Sequence, residues 1–254
     1  MNTDQPMTDG RRQSVTAPLG PRDALFLDFD GTLAPLQPNP DTVFIAEARA
    51  KSLQDLAAQL GGALAIISGR DVRDLSKRTP HSLWRIGGHG LDVCAPSAPP
   101  ALQSKAPLAA LRQAVESATA EKPGVRIEFK GPIMAVHYRA APRHGEALIA
   151  ELSDIVASYK DYKVQAGKMV IEVKPRAADK GAALEAMMVR APFAGRRPIM
   201  VGDDVTDEDA FSAAAALGGF GVKVGEGVSV AQWRLPSVED VWTWLETARE
   251  HTLR

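Results

Sequence analysis

Apolar residues along this chain fall into short unbroken runs, separated by longer stretches with helical spacing. Ala24-Leu-Phe-Leu-Asp28, Ala63-Leu-Ala-Ile-Ile67 and Pro198-Ile-Met-Val201 are apolar at successive positions. This is the pattern of strands covered on both faces. After the first run, Pro35, Pro38 and Pro40 mark a loop. Ile45, Leu53, Leu56 and Leu60 then line one side of a helix predicted over about 43–60, and Gly61-Gly62 stops it. Ser68-Gly69-Arg70 opens another helix, and Ile86-Gly-Gly-His89-Gly90 reads as a strand end and turn. Further on, helices are predicted from Lys180 to about Val189 and over Glu208–Ala216, and a strand over Gly221–Val224. Ser237 is placed to cap a last helix, in which Val238, Val241, Trp242 and Leu245 keep helical spacing. Strands alternating with helices predict an α/β fold, a parallel sheet with helices on both faces.

The pattern changes in the middle of the chain. Ala95-Pro-Ser-Ala-Pro-Pro100 is a linker by composition. Beyond it the spacing predicts a helix over about 108–120, strands over about 125–129 and 133–139, a helix over about 145–159, and strands over about 162–165 and 169–173. Val125, Ile127 and Phe129 alternate with Arg126, Glu128 and Lys130. Alternation predicts an antiparallel sheet with one wet face. This α+β module interrupts the first pattern, which resumes at Lys180.

Composition narrows the function classes. At roughly 100–200 residues per domain, 254 residues make one large or two modest domains. Lys and Arg total 30 against 31 Asp and Glu, a net charge of −1. Nothing in the bulk charge favours nucleic acid or a membrane surface. No apolar run approaches the ~18 residues of a membrane span. The first 19 residues are polar, lack the apolar core of a signal peptide and read as a disordered arm. The expected location is cytoplasmic. The single cysteine, Cys94, forms no internal disulfide and reads as structural, since nothing beside it in sequence depresses its pKa. His81, His144 and His251 read as surface residues. Trp84, Trp233, Trp242 and Trp244 read as packing residues.

Three buried strands end in polar residues, Asp28, Ser68 and Asp203, and in open α/β sheets ligands bind outside the carboxyl ends of the strands. Asp28-Phe-Asp30-Gly31-Thr32 puts two carboxylates just after a strand, where hard oxygen ligands suit Mg²⁺. Gly31 permits a sharp turn. An isolated Asp-x-Asp is common. Less common is Gly202-Asp203-Asp204-Val-Thr-Asp207-Glu208, where four carboxylates crowd one strand end. A helix N-terminus accounts for Asp207 and Glu208; Asp203 and Asp204 call for a divalent cation. Lys180 stands at a helix start, against the dipole. It is either a phosphate contact or a solvated lysine. On the inserted strands, Glu128 with Lys130, His137 with Arg139, and Glu172 with Lys174 sit two apart, hence on one face. A solvated sheet face and a sugar-binding face fit that pattern equally well.

Taken in order, Asp28-x-Asp30-Gly31-Thr32, Ser68, Lys180 and Gly202-Asp203-Asp204 resemble the four motifs of haloacid-dehalogenase-type phosphatases, and the resemblance runs from about Ala24 to the C-terminus. Ser68-Gly69-Arg70, His89-Gly90, Glu128-x-Lys130, His137-Tyr138-Arg139, Gly167-Lys168-x-x-x-Glu172-x-Lys174-Pro175 and the Gly-Asp-Asp-x-Thr-Asp-Glu segment resemble the trehalose-6-phosphate phosphatase family in particular. Asp92 stands where that family often has Glu.

With the polar N-terminal arm taken as 1–20, the resemblance implies a Rossmann-like doubly wound parallel-sheet core over 21–96 and 178–254 and an inserted α+β cap domain over 97–177. It implies Asp28 as nucleophile and Asp30 as general acid and base. Mg²⁺ would be held by Asp28, the Asp30 main-chain carbonyl and Asp203, with Asp204 and Asp207 supporting the metal. Thr32, Ser68, Gly69 and Lys180 would hold phosphate, while Arg70, His89, Glu128, Lys130, Arg139, Lys168 and Glu172 would contact the sugar. The expected enzyme is a monomer that hydrolyses trehalose 6-phosphate. Sucrose phosphate, mannosyl-glycerate phosphate or a hexose phosphate are alternative substrates, and a non-catalytic sugar-phosphate sensor is the alternative from another class.

Overall fold

The computed structural model describes residues 19–37, 39–167 and 169–252. In chain order the elements are β1 (Asp23–Asp28), α1 (Glu47–Gln59), β2 (Leu64–Ile67), α2 (Val72–Arg78), β3 (Trp84–Gly87) and β4 (Asp92–Cys94). Then come α3 (Ala109–Ala120), β5 (Arg126–Lys130), β6 (Ile133–His137), α4 (Gly145–Ala157), β7 (Tyr162–Gly167) and β8 (Val170–Pro175). The chain continues through α5 (Lys180–Met188), β9 (Arg197–Gly202), α6 (Glu208–Ala216), β10 (Phe220–Val224), β11 (Trp233–Leu235) and α7 (Val238–Thr252).

Seven strands form one sheet in the order β11-β10-β9-β1-β2-β3-β4. Its neighbours are parallel except β3 and β4. Successive residues of β1 serve opposite faces. Leu25 and Leu27 join Leu53 and Leu56 of α1 and Trp242 and Leu245 of α7. Ala24 and Phe26 join Leu184 and Met187 of α5 and Phe211 of α6. Two covered faces explain why these strands are apolar at every position. The chain runs from β1 outward through β2 and β3, then returns to place β9 on the other flank of β1. That reversal opens a crevice at the carboxyl ends of β1 and β9.

The second sheet, β5-β6-β8-β7, is antiparallel throughout. Met134, Val136, Ile171 and Val173 pack on Leu111 and Val115 of α3 and on Leu148 and Leu152 of α4. The opposite face carries Glu128, Lys130, Lys163, Glu172 and Lys174. It meets the first sheet's crevice through Glu172, whose Oε2 lies 3.0 Å from His89 Nε2.

Most predicted elements recur with shifted ends. α1 begins at Glu47 rather than near 43, and α2 begins at Val72, where Asp71 accepts the Arg73 N–H. Ser237 does cap α7, accepting the Asp240 N–H at 3.3 Å. β4 and β11 were not predicted; at three residues each they are too short for a pattern to register. The predicted arm lies outside the described residues as far as residue 18, but Leu19 is buried in the core and is not part of an arm. Trp242 and Trp244 are buried, and Trp84 meets Phe193 edge-on at 5.8 Å, so these are packing residues as expected. His81 is exposed, His144 is half-buried and the His251 side chain lies outside the described residues. Cys94 is buried, but Arg85 Nη2 approaches its Sγ to 3.1 Å, a neighbour the sequence did not reveal. No helix among the described residues is long and apolar enough to cross a membrane.

Candidate active site

Asp28 ends β1 and is buried. The chain then turns at Gly31, whose φ of 81° is in the left-handed region that glycine enters freely. A Cβ on Gly31 would lie 2.2 Å from Asp203 Oδ2, so the glycine also leaves room for the Asp203 carboxylate. Gly31→Ala is therefore expected to cost about 1–2 kcal/mol from backbone strain alone. It should also push Asp203 away from Asp28. Urea unfolding and turnover would read the two losses separately.

Lys180 opens α5, and Asp179 caps that helix by accepting the Ala182 N–H. The Lys180 side chain is buried, and its Nζ donates to Asp28 Oδ1 and to Asp207 Oδ1, both at 2.6 Å. Burial disfavours its charge, but Asp207 and Asp28 outweigh burial and hold the lysine proton tightly. Asp207 is fully buried and also accepts the Asp204 N–H through Oδ2. Asp28, Asp203 and Asp207 bring carboxylate oxygens within 4.8 Å of one another. Burial pushes the Asp28 carboxyl well above its ordinary range; Lys180 pulls it back, and Asp207 and Asp203 raise it again. Asp203 is pushed up to about 7, by burial first and then by Asp207 and Asp204.

Three carboxylates around one ammonium leave two negative charges uncompensated, the charge of one divalent cation. Asp203 Oδ1 is buried with no hydrogen-bond partner among the described residues. An all-oxygen donor set of this kind suits a hard cation such as Mg²⁺. The residues present therefore fit a divalent metal ion.

A family model for trehalose-phosphatase matches residues 26–235. The chain is 39% identical over 240 residues to the trehalose-6-phosphate phosphatase of Escherichia coli K12, covering 91% of this chain and 88% of that one. It is also 39% identical to a probable trehalose-phosphate phosphatase of Sinorhizobium fredii, covering 85% of this chain and 83% of that one. The chain belongs to the trehalose-phosphatase family. It is an enzyme, a phosphatase. Its fold is similar to the C-terminal domain of a C. albicans trehalose-6-phosphate phosphatase, with a TM-score of 0.78 at 25% identity, covering 91% of this chain and 93% of that one. A haloacid dehalogenase-like hydrolase from B. subtilis shares the fold at a TM-score of 0.62 and 14% identity.

In this trehalose-phosphatase family member, several residues singled out by sequence converge on the crevice. Ser68 is buried at the end of β2, and its Oγ accepts the Arg70 N–H at 3.1 Å. Thr32 is buried, with Oγ1 unpartnered among the described residues. Gly69 must lack a Cβ because the His89 ring would lie 2.6 Å from it. His89 itself takes a left-handed backbone, φ 54°, which aims its ring at Glu172. Burial is the largest influence on His89 and pushes its pKa down. Burial opposes the Glu172 charge, but His89, Lys174 and Lys130 outweigh it and hold that carboxyl far below its usual range. Glu128 accepts from His137 Nε2 at 2.9 Å, with Lys130 Nζ 3.7 Å away.

Other expected residues are placed differently. Arg70, expected at the sugar, grips the Asp30 carboxylate through Nε and Nη2 at 2.7 and 2.6 Å. Asp204, expected to support the metal, is exposed and caps the turn at Asp207, while Asp207, expected in the same role, stands within the carboxylate group itself. Arg139 is exposed, beyond the end of β6. Lys168 lies outside the described residues. Two further residues join the site: Lys174, placed on the polar face by its spacing but not among the expected sugar contacts, and Lys223, which was missed. Lys174 is buried beside Glu172 at 3.6 Å. Lys223 is buried in β10 and donates to the Asp203 main-chain carbonyl. A lysine inside the apolar run Gly221–Val224 was the available signal for Lys223.

Proposed function

We propose that this chain hydrolyses trehalose 6-phosphate to trehalose and phosphate, with Asp28 as nucleophile and Mg²⁺ as cofactor. The observation that carries the reading is the buried Asp28 carboxylate, gripped by Lys180 at the mouth of a crevice roofed by the polar face of the second sheet. Residues 97–177 act as a cap over a core of 21–96 and 178–254. Relatives named for trehalose-phosphate hydrolysis, at 39% identity over most of both chains, support this substrate over other sugar phosphates.

In the first step an Asp28 oxygen attacks phosphorus and the bond from phosphorus to the sugar oxygen breaks. The bonding pair stays on the sugar oxygen, which takes a proton from Asp30. In the second step water gives a proton to Asp30 and attacks phosphorus, and the bond to Asp28 breaks, restoring its carboxylate. Lys180 offsets the repulsion between carboxylate and phosphate, and the Ser68 and Thr32 hydroxyls face the phosphoryl oxygens. Asp28, Asp203 and Asp207, with the Asp30 main-chain carbonyl, would hold Mg²⁺, which supplies positive charge for the phosphoryl group. Glu128, Lys130 and Glu172 offer acceptors and donors for sugar hydroxyls.

The test is phosphate release from trehalose 6-phosphate, sucrose 6-phosphate and glucose 6-phosphate, with Mg²⁺ and with chelator. Metal-dependent preference for the first is expected; preference for another sugar would discard the substrate and keep the core chemistry. Mg²⁺ should also raise the melting temperature, and Asp203→Asn should remove that shift. A shift that survives the substitution would count against this ion site.

A further inference from the structure

Asp30 does not stand alone at the site. The Arg70 guanidinium forks onto both of its carboxylate oxygens. Each oxygen has two lone pairs, and the fork takes one from each. The others stay open toward the crevice, since Asp30 keeps a side-chain exposure of 29%. Arg70 thereby sets the plane in which Asp30 presents its proton.

Arg70 is in turn oriented from behind. Its Nη1 donates to Asp74 Oδ2 at 2.9 Å, and its guanidinium lies 5.4 Å from the Phe29 ring centre. Asp74 also accepts from Arg78, Nε to Oδ2 at 2.9 Å and Nη2 to Oδ1 at 2.8 Å. Arg78 is anchored to the backbone carbonyls of Asp41 and Val43 at 3.0 and 2.8 Å. Positions 70, 74 and 78 are four apart, so one side of this segment carries an Arg-Asp-Arg ladder. Both arginines are buried. Two buried guanidinium groups would repel, and Asp74 is the counter-charge they share, beside Asp30 at Arg70 and Asp41 at Arg78. The ladder ties Asp30 to a fixed backbone loop.

We propose that Asp74 is a positioning residue for the acid–base step, acting on Asp30 through Arg70. The inference rests on the reading of Asp30 as general acid. Bidentate geometry at Asp30 depends on where Arg70 sits, and Asp74 is the charged group that holds it from behind. A protonated Asp30 carboxyl displaced by about an ångström delivers its proton poorly, a loss on the order of 10²-fold.

The decisive readout compares leaving groups. A sugar oxygen departs as a strong base and needs a proton, while p-nitrophenolate departs as a stable anion and does not. For both, kcat/KM covers events through leaving-group departure. Asp74→Asn is expected to lower the ratio of kcat/KM for trehalose 6-phosphate over p-nitrophenyl phosphate by at least ~10-fold, part of the ~10²–10⁴-fold that acid–base catalysis supplies. Asp30→Asn, measured alongside, should lower the same ratio further. An unchanged ratio in Asp74→Asn with a lowered ratio in Asp30→Asn overturns the positioning role and leaves the acid in place. An unchanged ratio in Asp30→Asn overturns the acid assignment and this inference with it. Should Asp74→Asn not fold, Arg78→Lys loosens Asp74 while keeping the charge, and it must shift the ratio the same way or the role is refuted.

Discussion

Asp28→Asn is expected to lower turnover by on the order of 10⁴-fold or more, the scale seen when a nucleophile is removed. Asparagine matches the shape of aspartate but its amide oxygen cannot form the phosphoenzyme. The fold should survive. The Asp28 carboxylate has an oxygen within 4.8 Å of oxygens of two further carboxylates, and among the described residues Lys180 is the cation that pairs with it. Replacing one of three crowded negative charges removes repulsion, and the amide oxygen can still accept from Lys180. Without metal, the melting temperature should therefore equal or exceed that of the parent chain. Residual turnover within about 10²-fold of the parent would mean that another group attacks phosphorus. A collapsed melting temperature would mean that the charge itself holds the crevice together.

Removing the lysine has the opposite signature. Lys180→Met takes away the counter-charge of Asp28 and Asp207, both buried and both bonded to it at 2.6 Å. Breaking a buried ion pair from one side costs about 3–5 kcal/mol. Urea unfolding in chelator should show a loss of that size, together with a turnover loss on the order of 10²–10³-fold. The loss should depend on pH. Lys180 is the influence that lowers the Asp28 pKa against burial. Burial already raises the Asp28 pKa in the parent, and without Lys180 the folded state binds that proton more tightly still. Stability then falls as pH rises through the carboxylate range and above it. The variant should lie nearest to the parent at acidic pH and furthest from it at neutral pH. A pH-independent gap would refute the charge argument, and a gap below about 1 kcal/mol would show that water or sodium replaces the ammonium.

The two expected losses differ because the two residues solve different problems. On the proposed mechanism Asp28 carries the chemistry, and without a bound cation its buried charge is an electrostatic burden. Lys180 carries part of the electrostatic balance that allows a nucleophilic carboxylate to be buried at all. Their side chains touch, so their effects on stability are not expected to add.

Much of this was legible in the residues themselves. Runs such as Ala24–Asp28 and Ala63–Ile67 are apolar throughout because both faces of the sheet are covered. The alternation of Val125, Ile127 and Phe129 with charged residues reports a sheet with one packed face. Both are local consequences of burial, and periodicity records burial directly. The placement of acids at strand ends was legible for the same reason, since a carboxylate directly after an apolar run marks where the strand passes from apolar packing to a polar site, even where, as at Asp28, that site is buried. Cap contacts such as His89 with Glu172 were legible only as candidates, because a polar face looks the same whether it meets water or a ligand.

Pairings were decided by the tertiary structure. Lys180 reaches Asp28 across 152 residues, and Arg70 reaches Asp30 across 40. Those meetings follow from β1 lying between β2 and β9 in parallel register, with Asp28 opposite Ile67 and Leu27 opposite Val201. The same packing placed Asp207 beside Asp28 and Asp203, left Asp204 exposed and turned Arg70 onto Asp30. Spacing along a chain tells which face a residue takes, but strand order and register set which distant side chains share a few ångströms. No local pattern encodes those, because they are settled by how the whole core packs.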